Sequence, residues 1–352
     1  MLLTLAVACS AQITFTKYQL PGVGLLPEGI TAGPDGNLWF VELYGNNVGR
    51  MTLTGAVTEF PLAGVYSAPL GITAGPDGYL WFTESGATGG PGHQGNKVGR
   101  ISVTGMIQEF SVPADSSQSF GTTYPWRIVA GPDGNLWFTE FLGDKIVRIT
   151  VGGAITEFPL RFGSAPSSIA VGADGNLWFT EYLYSTIGRI TPGGEIMEFQ
   201  LPHPNFGQDV LEEITAGPDG NLWFTERSGN KIGSITSAGV ITEYSIPSPD
   251  SGPAGITAGQ DGNLWFTESG SFGLPPQGTK IGRITPLGTI TEFPIPGGSS
   301  LPIEITTGPD GNIWFTDGNN AVWQVDIGLC AILQSSWYYW YVTARTSCVG
   351  AA

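Results

Sequence analysis

The stretch Gly33-Pro34-Asp35-Gly36-Asn37-Leu38-Trp39-Phe40-Val41-Glu42 decides the fold, because it returns six more times along the chain. A tryptophan marks each copy, and successive copies lie 41 to 56 residues apart: Trp39, Trp81, Trp137, Trp178, Trp223, Trp265 and Trp314. A repeat of this length, with short strand-like pieces and no helical period, indicates that small sheets are arranged around a centre.

Each copy predicts four antiparallel strands, A to D, which together make one blade of a propeller. The A–B turn reads Pro-Asp-Gly-Asn in most copies, a composition typical of a tight hairpin. In the copy that contains Trp265, the predicted strands are residues 256–259, 264–268, 280–285 and 290–295. We therefore predict an all-β, seven-bladed β-propeller of four-stranded antiparallel blades. Strand B is apolar on both faces, so its tryptophan is expected in the core between blades.

The two ends of the repeat predict how the ring closes. The last copy has strands A, B and C but no recognisable strand D, whereas residues 16–21 near the N-terminus align with the strand D that contains Phe60. We expect residues 13–20 to pair with strand C of blade seven, near Val322 to Asp326. This pairing removes the open sheet edges that promote aggregation.

The chain divides into three segments by composition. Residues 1–12 resemble the remnant of a secretory leader, 13–327 form the propeller, and 328–352 form an aromatic tail of unknown role. The leader predicts a secreted or periplasmic protein, with a lipid anchor on Cys9 as a weaker alternative. Cys330 and Cys348 either pair in an oxidising compartment or remain free thiols. No apolar run reaches the length of a transmembrane helix.

The charge balance excludes one class of partner. The chain has 30 acidic and 14 basic residues, for a net charge of −16. Binding of nucleic acid needs a basic surface, so we expect none. Most charges occupy repeat positions, which predicts cross-strand pairs and a solvated rim. We expect the protein to be a monomer.

Long, variable loops single out one face of the disc. The B–C and D–A loops vary in length, while the A–B and C–D turns are short and uniform, and function usually resides on variable loops. The residues just before each strand A should surround the central channel on this face. Four of these residues are acids that predict a site for a hard cation, Mg²⁺ or Ca²⁺: Glu28, Glu304, Glu212 and Glu213. The alternative is solvated acids, some of them facing Arg127.

Aromatic side chains gather in the same loops. They predict a binding site for a small molecule or a glycan, made by Tyr44, Tyr124, Trp126, Arg127 and Tyr184. The alternative is that these rings pack down on the blades and contact no ligand.

The consensus unit Gly-Ile-Thr-Ala-Gly-Pro-Asp-Gly-Asn-Leu-Trp-Phe-Thr-Glu is followed by Lys-Ile-Gly-Arg-Ile-Thr and Ile-Thr-Glu-Phe-Pro-Leu-Pro. Over residues 13–327 this pattern resembles the virginiamycin B lyase (streptogramin lyase) family. The resemblance implies a seven-bladed propeller and ring opening of type B streptogramins by elimination at the ester linkage. It also implies a histidine base just before a strand A, and Mg²⁺.

The sequence departs from the family at the position of that base. The seven aligned residues include no histidine: Glu28, Leu70, Trp126, Ser167, Glu212, Ala254 and Ile303. The two histidines of the chain, His93 and His203, lie in long loops and are the weak candidates for a relocated base. Three hypotheses follow: an exported binding propeller, a metal-assisted lyase or hydrolase with a relocated site, and a structural or protein-interaction propeller.

Overall fold

The computed structural model describes residues 13–64, 66–86, 96–113, 123–202, 210–270, 279–336 and 339–347. Seven four-stranded antiparallel sheets form the blades, and the inner strand of each blade contacts the inner strands of both neighbours around a closed ring. The predicted all-β, seven-bladed propeller is confirmed.

The strands of blades one to three follow one order, from the channel outwards. Blade one comprises β2 (Pro27–Ala32), β3 (Leu38–Glu42), β4 (Asn47–Met51) and β5 (Val57–Pro61). Blade two comprises β6 (Pro69–Ala74), β7 (Leu80–Glu84), β8 (Lys97–Ile101) and β9 (Ile107–Ser111). Blade three comprises β10 (Pro125–Ala130), β11 (Leu136–Glu140), β12 (Lys145–Ile149) and β13 (Ile155–Pro159).

Blades four to six repeat this order. Blade four comprises β14 (Pro166–Val171), β15 (Leu177–Glu181), β16 (Thr186–Ile190) and β17 (Ile196–Gln200). Blade five comprises β18 (Leu211–Ala216), β19 (Leu222–Glu226), β20 (Lys231–Ile235) and β21 (Ile241–Ser245). Blade six comprises β22 (Pro253–Ala258), β23 (Leu264–Glu268), β24 (Lys280–Ile284) and β25 (Ile290–Pro294).

Blade seven is built from both ends of the chain. Its inner strands are β26 (Pro302–Thr307), β27 (Ile313–Asp317) and β28 (Ala321–Asp326), and its outer strand is β1 (Thr14–Gln19). β1 pairs antiparallel with β28 from Thr14–Asp326 to Gln19–Ala321. The predicted closure by the N-terminal strand is therefore confirmed.

The A–B turn and strand B explain why the motif repeats. Trp39 is fully buried and packs with Leu80 and Phe82 of the next blade, so the predicted core between blades is confirmed. Its indole Nε1 donates a hydrogen bond to Asp35 Oδ1 at 3.0 Å. This bond satisfies a polar atom that burial would otherwise leave without a partner. The same tryptophan–aspartate bond recurs in all seven blades.

The charged repeat positions behave in two ways. Lysines of strand C pair with glutamates of strand D, as in Lys231–Glu243 at 2.7 Å and Lys280–Glu292 at 3.0 Å, so cross-strand pairing is confirmed there. The predicted solvated rim is wrong for the acid that ends strand B, because strands on both sides and the adjoining loops cover it. These buried acids are Glu42, Glu84, Glu140, Glu181, Glu226, Glu268 and Asp317.

Beyond the propeller, the structure describes one further pair of strands. After the propeller, β29 (Leu329–Ser336) and β30 (Tyr339–Ser347) pair as a two-stranded antiparallel sheet. Residues 1–12, Cys9 among them, and Cys348 lie outside the described residues, so neither the leader nor the pairing of Cys330 with Cys348 is tested. In the part of the chain that the structure describes, no helix has the length and apolarity needed to cross a membrane.

Candidate functional site

A β-bulge at the start of every strand A shapes the mouth of the channel. In blade one Pro27 pairs with Glu42 but Ile30 pairs with Phe40, so β2 carries one more residue than β3 between these pairs. The sequence pattern did not predict this extra residue, since it placed the start of strand A at the isoleucine. Bulges commonly re-aim side chains near binding sites.

The bulge places two residues per blade at the channel, and they define two rings. The mouth ring is the second residue of each strand A: Glu28, Leu70, Trp126, Ser167, Glu212, Ala254 and Ile303. The channel ring is the third residue: Gly29, Gly71, Arg127, Ser168, Glu213, Gly255 and Glu304. A Cβ on Gly29 would lie 2.5 Å from the carbonyl oxygen of Leu70, so close packing between blades explains the glycine there.

The threonine of strand B hydrogen-bonds to a channel-ring residue of its own blade and to a mouth-ring residue of the next blade. Thr225 Oγ1 accepts a hydrogen bond from the backbone N–H of Glu213 at 3.0 Å and donates to the carbonyl of Ala254 in the next blade at 2.7 Å. The same pair of bonds occurs at Thr83, Thr139, Thr180, Thr267 and Thr316. Blade one has Val41 at this position, and a valine cannot make either bond.

Arg127 reaches from blade three across the channel. Its Nε lies 3.3 Å from Glu213 Oε2 in blade five, and its Nη2 forms an ion pair with Glu304 in blade seven. Ser168 Oγ holds the other oxygen of Glu213 at 2.6 Å. A cavity of about 80 Å³ adjoins the guanidinium. Its lining includes the channel-ring residues of blades one, two, three, five and seven.

Burial and repulsion from neighbouring carboxylates raise the pKa values of Glu213 and Glu28. Burial is the main cause that raises the pKa of Glu213 to about 8, and Glu304 adds to it. Burial also raises the pKa of Glu28 to about 7, although Arg127 opposes the shift. Burial disfavours the charge of Arg127, but the surrounding carboxylates, Glu304 foremost, raise its pKa. The guanidinium therefore stays charged at every ordinary pH.

Four rings form a continuous aromatic wall on one side of the mouth. Trp126 lies 5.2 Å from Tyr124 and 5.0 Å from Phe141, and Phe141 lies 5.4 Å from Tyr182, measured between ring centroids. All four side chains are partly exposed. We call Tyr124, Trp126, Phe141 and Tyr182 the aromatic wall.

The phenols of the wall approach the mouth acids. Burial, then the charge of Glu28, raises the pKa of Tyr124 to about 12. Burial, then the charge of Glu212, raises the pKa of Tyr182. Arg227 Nη1 lies 3.4 Å from Glu212 Oε1. The mouth therefore combines aromatic surface with carboxylates and guanidinium groups.

The structure brings together most of the predicted site residues. Glu213, Glu304 and Arg127 are in direct contact, and Tyr124 and Trp126 belong to the wall. Tyr44 is 63% exposed, and its phenol contributes, after burial and Glu28, to the raised pKa of Tyr124. Tyr184 instead stacks on Arg161, with the guanidinium 3.9 Å from the ring centroid. His93 and His203 lie outside the described residues.

Sequence reasoning missed Phe141 and Arg227 at the mouth. Each directly follows the acid that ends strand B, and Tyr182 has the same place in blade four. The seven residues of this column are Leu43, Ser85, Phe141, Tyr182, Arg227, Ser269 and Gly318. The column varies although the strand B residues before it repeat, and that variation is the signal that could have found them.

The predicted cation site depends on how the acids are arranged around the channel. Among the described residues, no group of three or more histidine, cysteine, aspartate or glutamate side chains is arranged to hold a metal ion. The guanidinium of Arg127 lies between Glu213 and Glu304. The acids therefore do not fit a divalent cation while Arg127 is in place.

Comparisons with known proteins give a consistent result. The model of the virginiamycin B lyase family matches residues 7–125, 91–207 and 121–328. Selenomethionine-substituted virginiamycin B lyase from Staphylococcus aureus is 38% identical, with 90% of this chain and 99% of that chain covered and a TM-score of 0.79. A catalytically inactive histidine-to-alanine variant from the same organism, with quinupristin, gives the same values. A streptogramin B lyase structure is 35% identical, with 90% and 98% coverage and a TM-score of 0.79. Among curated proteins there is no match.

Proposed function

Because the chain belongs to the virginiamycin B lyase family, we propose that it keeps the scaffold of that family as an exported binding propeller. In this proposal the channel mouth holds a small molecule or a glycan, and the histidine chemistry of the family is absent. We also propose that the protein acts as a monomer outside the cytoplasm, and the apolar residues 2–8 support export.

The aromatic wall carries this proposal. Its four rings are contiguous, partly exposed and next to the mouth acids, on the face with the long loops. Ligand sites typically combine apolar and aromatic surface with a few polar groups that fix orientation. A planar ring or the apolar face of a sugar can stack on such a surface, while Glu28 and Glu212 accept hydrogen bonds from hydroxyl or amino groups.

The mouth ring supports binding without the family's catalysis. The structure places all seven ring residues at one equivalent position, since the carbonyls of six accept the bond from the strand B threonine of the preceding blade. None of the seven is a histidine. The inactive histidine-to-alanine relative shows that a histidine is needed for catalysis in that protein.

The test compares two aromatic-to-alanine variants on the same face. A panel of glycans and cyclic depsipeptides is titrated against the wild type, with calorimetry as the readout, because a fluorescence signal would itself depend on Trp126. Trp126→Ala should weaken binding of any hit by about tenfold, because it removes buried aromatic area as well as a stacking contact worth about 0.5–1.5 kcal/mol. Phe162→Ala, at an 88% exposed residue outside the wall, is the control and should leave affinity unchanged. Equal losses in both variants, or no loss in either, would contradict a site at the wall.

A lyase or hydrolase with a relocated base is the second candidate. The observation that favours it is the pKa of Glu28, about 7, since a base works best with a pKa near the working pH. Glu28→Gln should abolish turnover under this hypothesis, whereas loss of activity in His93→Ala or His203→Ala would assign the base to a loop histidine. A structural or protein-interaction propeller would show neither ligand binding nor turnover.

A further inference from the structure

We infer that the guanidinium of Arg127 is the resident cation of the channel and excludes a divalent cation from the acids around it. As long as Arg127 is present, the channel acids bind no divalent cation. When it is removed, the same acids become a divalent site. This inference does not depend on which ligand binds at the mouth.

The contacts of Arg127 are those of a cation held by a ring of oxygens. Its partners are a carboxylate oxygen of Glu213 at 3.3 Å, a carboxylate oxygen of Glu304, and the carbonyl oxygen of Leu70 at 3.4 Å. These partners come from blades five, seven and two, so the guanidinium links three blades of the propeller across the channel. Carboxylate and carbonyl oxygens are also the ligands that Ca²⁺ and Mg²⁺ prefer.

One departure from the repeat explains why Arg127 can use Leu70. In six blades the strand B threonine donates to the mouth-ring carbonyl of the next blade, but blade one has Val41. The carbonyl of Leu70, which a threonine at position 41 would reach, instead accepts from Arg127 Nη1. Because Val41 cannot donate to the Leu70 carbonyl, this carbonyl is available to accept a hydrogen bond from the guanidinium of Arg127.

The charges of the channel acids are the second reason to expect a divalent site once Arg127 is removed. Removing the guanidinium leaves Glu213 and Glu304 facing the same space with no positive group between them, and two close carboxylates repel. Arg227 forms an ion pair with Glu212 of the mouth ring. The side chain of Glu304 is only 11% exposed, so water cannot fully replace the lost partner. A divalent cation meets this need.

The experiment measures Ca²⁺ and Mg²⁺ binding by calorimetry and by thermal melting in the wild type, in Arg127→Met and in Arg227→Met. The wild type should give no saturable heat and no metal-dependent shift in Tm. Arg127→Met should melt lower than the wild type without metal, and Ca²⁺ should raise its Tm with a dissociation constant of about 10⁻⁴–10⁻³ M, the range of modest protein sites. Arg227→Met removes the same charge from the mouth and should gain no metal affinity.

The outcomes separate clearly. Stoichiometric binding of either metal by the wild type, lost in Glu304→Gln, would overturn the inference, and this arm needs no arginine variant to fold. Absence of metal binding by a folded Arg127→Met protein would overturn it as well. Adding Glu213→Gln and Glu304→Gln to Arg127→Met should abolish the gained affinity, which confirms that these two carboxylates form the site.

Discussion

Tyr18 stacks on Trp314 with 5.5 Å between ring centroids and an interplanar angle of 22°, so a residue near the N-terminus covers the core tryptophan of the last blade. Phe60 covers Trp39 in the same way, at 5.6 Å and 12°. The N-terminal strand therefore supplies the aromatic residue that strand D supplies in other blades. Closure of the ring is a packing contact as well as a strand pairing.

The first prediction concerns this closure. Tyr18→Ala should lower the free energy of unfolding by about 2 kcal/mol, a reduced value for a partly buried ring, and the Tm by about 3 °C for a propeller of this size. Tyr18→Phe keeps the stack and should stay close to the wild type. Deletion of residues 1–21 should lower the Tm far more, because β28 becomes an open edge. An unchanged melting curve after the deletion would refute closure.

The second prediction concerns the threonine bridges between blades. Thr225→Val leaves the N–H of Glu213 and the carbonyl of Ala254 without their partner and should cost about 1–3 kcal/mol. The reciprocal change, Val41→Thr, adds a hydroxyl where the repeat lacks one and should not destabilise the protein. Chemical denaturation of both variants checks this pair of results. Equal destabilisation by both substitutions would show that the hydroxyl is not the cause.

The third prediction concerns the pH dependence of stability. Burial raises the folded-state pKa of Glu42, Glu84, Glu181 and Glu268 from 4.5 to about 7. Between these values the folded state binds more protons than the unfolded state, so the free energy of unfolding falls as pH rises through this window.

Three turn aspartates set the lower pH limit of the range in which the protein is most stable. Hydrogen bonds from Asn and Trp side chains hold the pKa values of Asp35, Asp133 and Asp174 below their usual 3.8, although burial opposes this. Their contribution is present above about pH 4 and is lost as pH falls further. The Tm should therefore be highest near pH 5 and lower at pH 8. Glu84→Gln should reduce the fall between pH 5 and pH 8, and a Tm that rises over this range would contradict the assignment.

Much of the fold was predictable because the repeat is local. The turn residue Asp261 and the core residue Trp265 occur within one short segment, and their bond is made in the same way in each blade. Closure was predictable because an orphan strand D aligns with its counterparts. The bulge was not predictable, since the two residues between Pro27 and Ile30 give no signal of an extra position.

The site was predictable only in part. Position within the repeat identified Glu28, Glu213 and Glu304 as residues at the channel, because each comes just before the predicted start of a strand A. The role of Arg127 depends on three blades meeting across the channel, and no local pattern contains that geometry. The same is true of the Leu70 carbonyl, whose availability follows from the single valine at position 41.

The central claim is that the chain keeps the family's scaffold without its catalysis, and the most direct test is incubation with a type B streptogramin. Chromatography, mass spectrometry and NMR separate the outcomes, because elimination creates an alkene at unchanged mass, whereas hydrolysis adds one water. Run beside a histidine-bearing family member, this protein should leave the ring intact or open it at least about 10²-fold more slowly, the lower bound for a lost general base. Ring opening at the rate of that relative would contradict the claim.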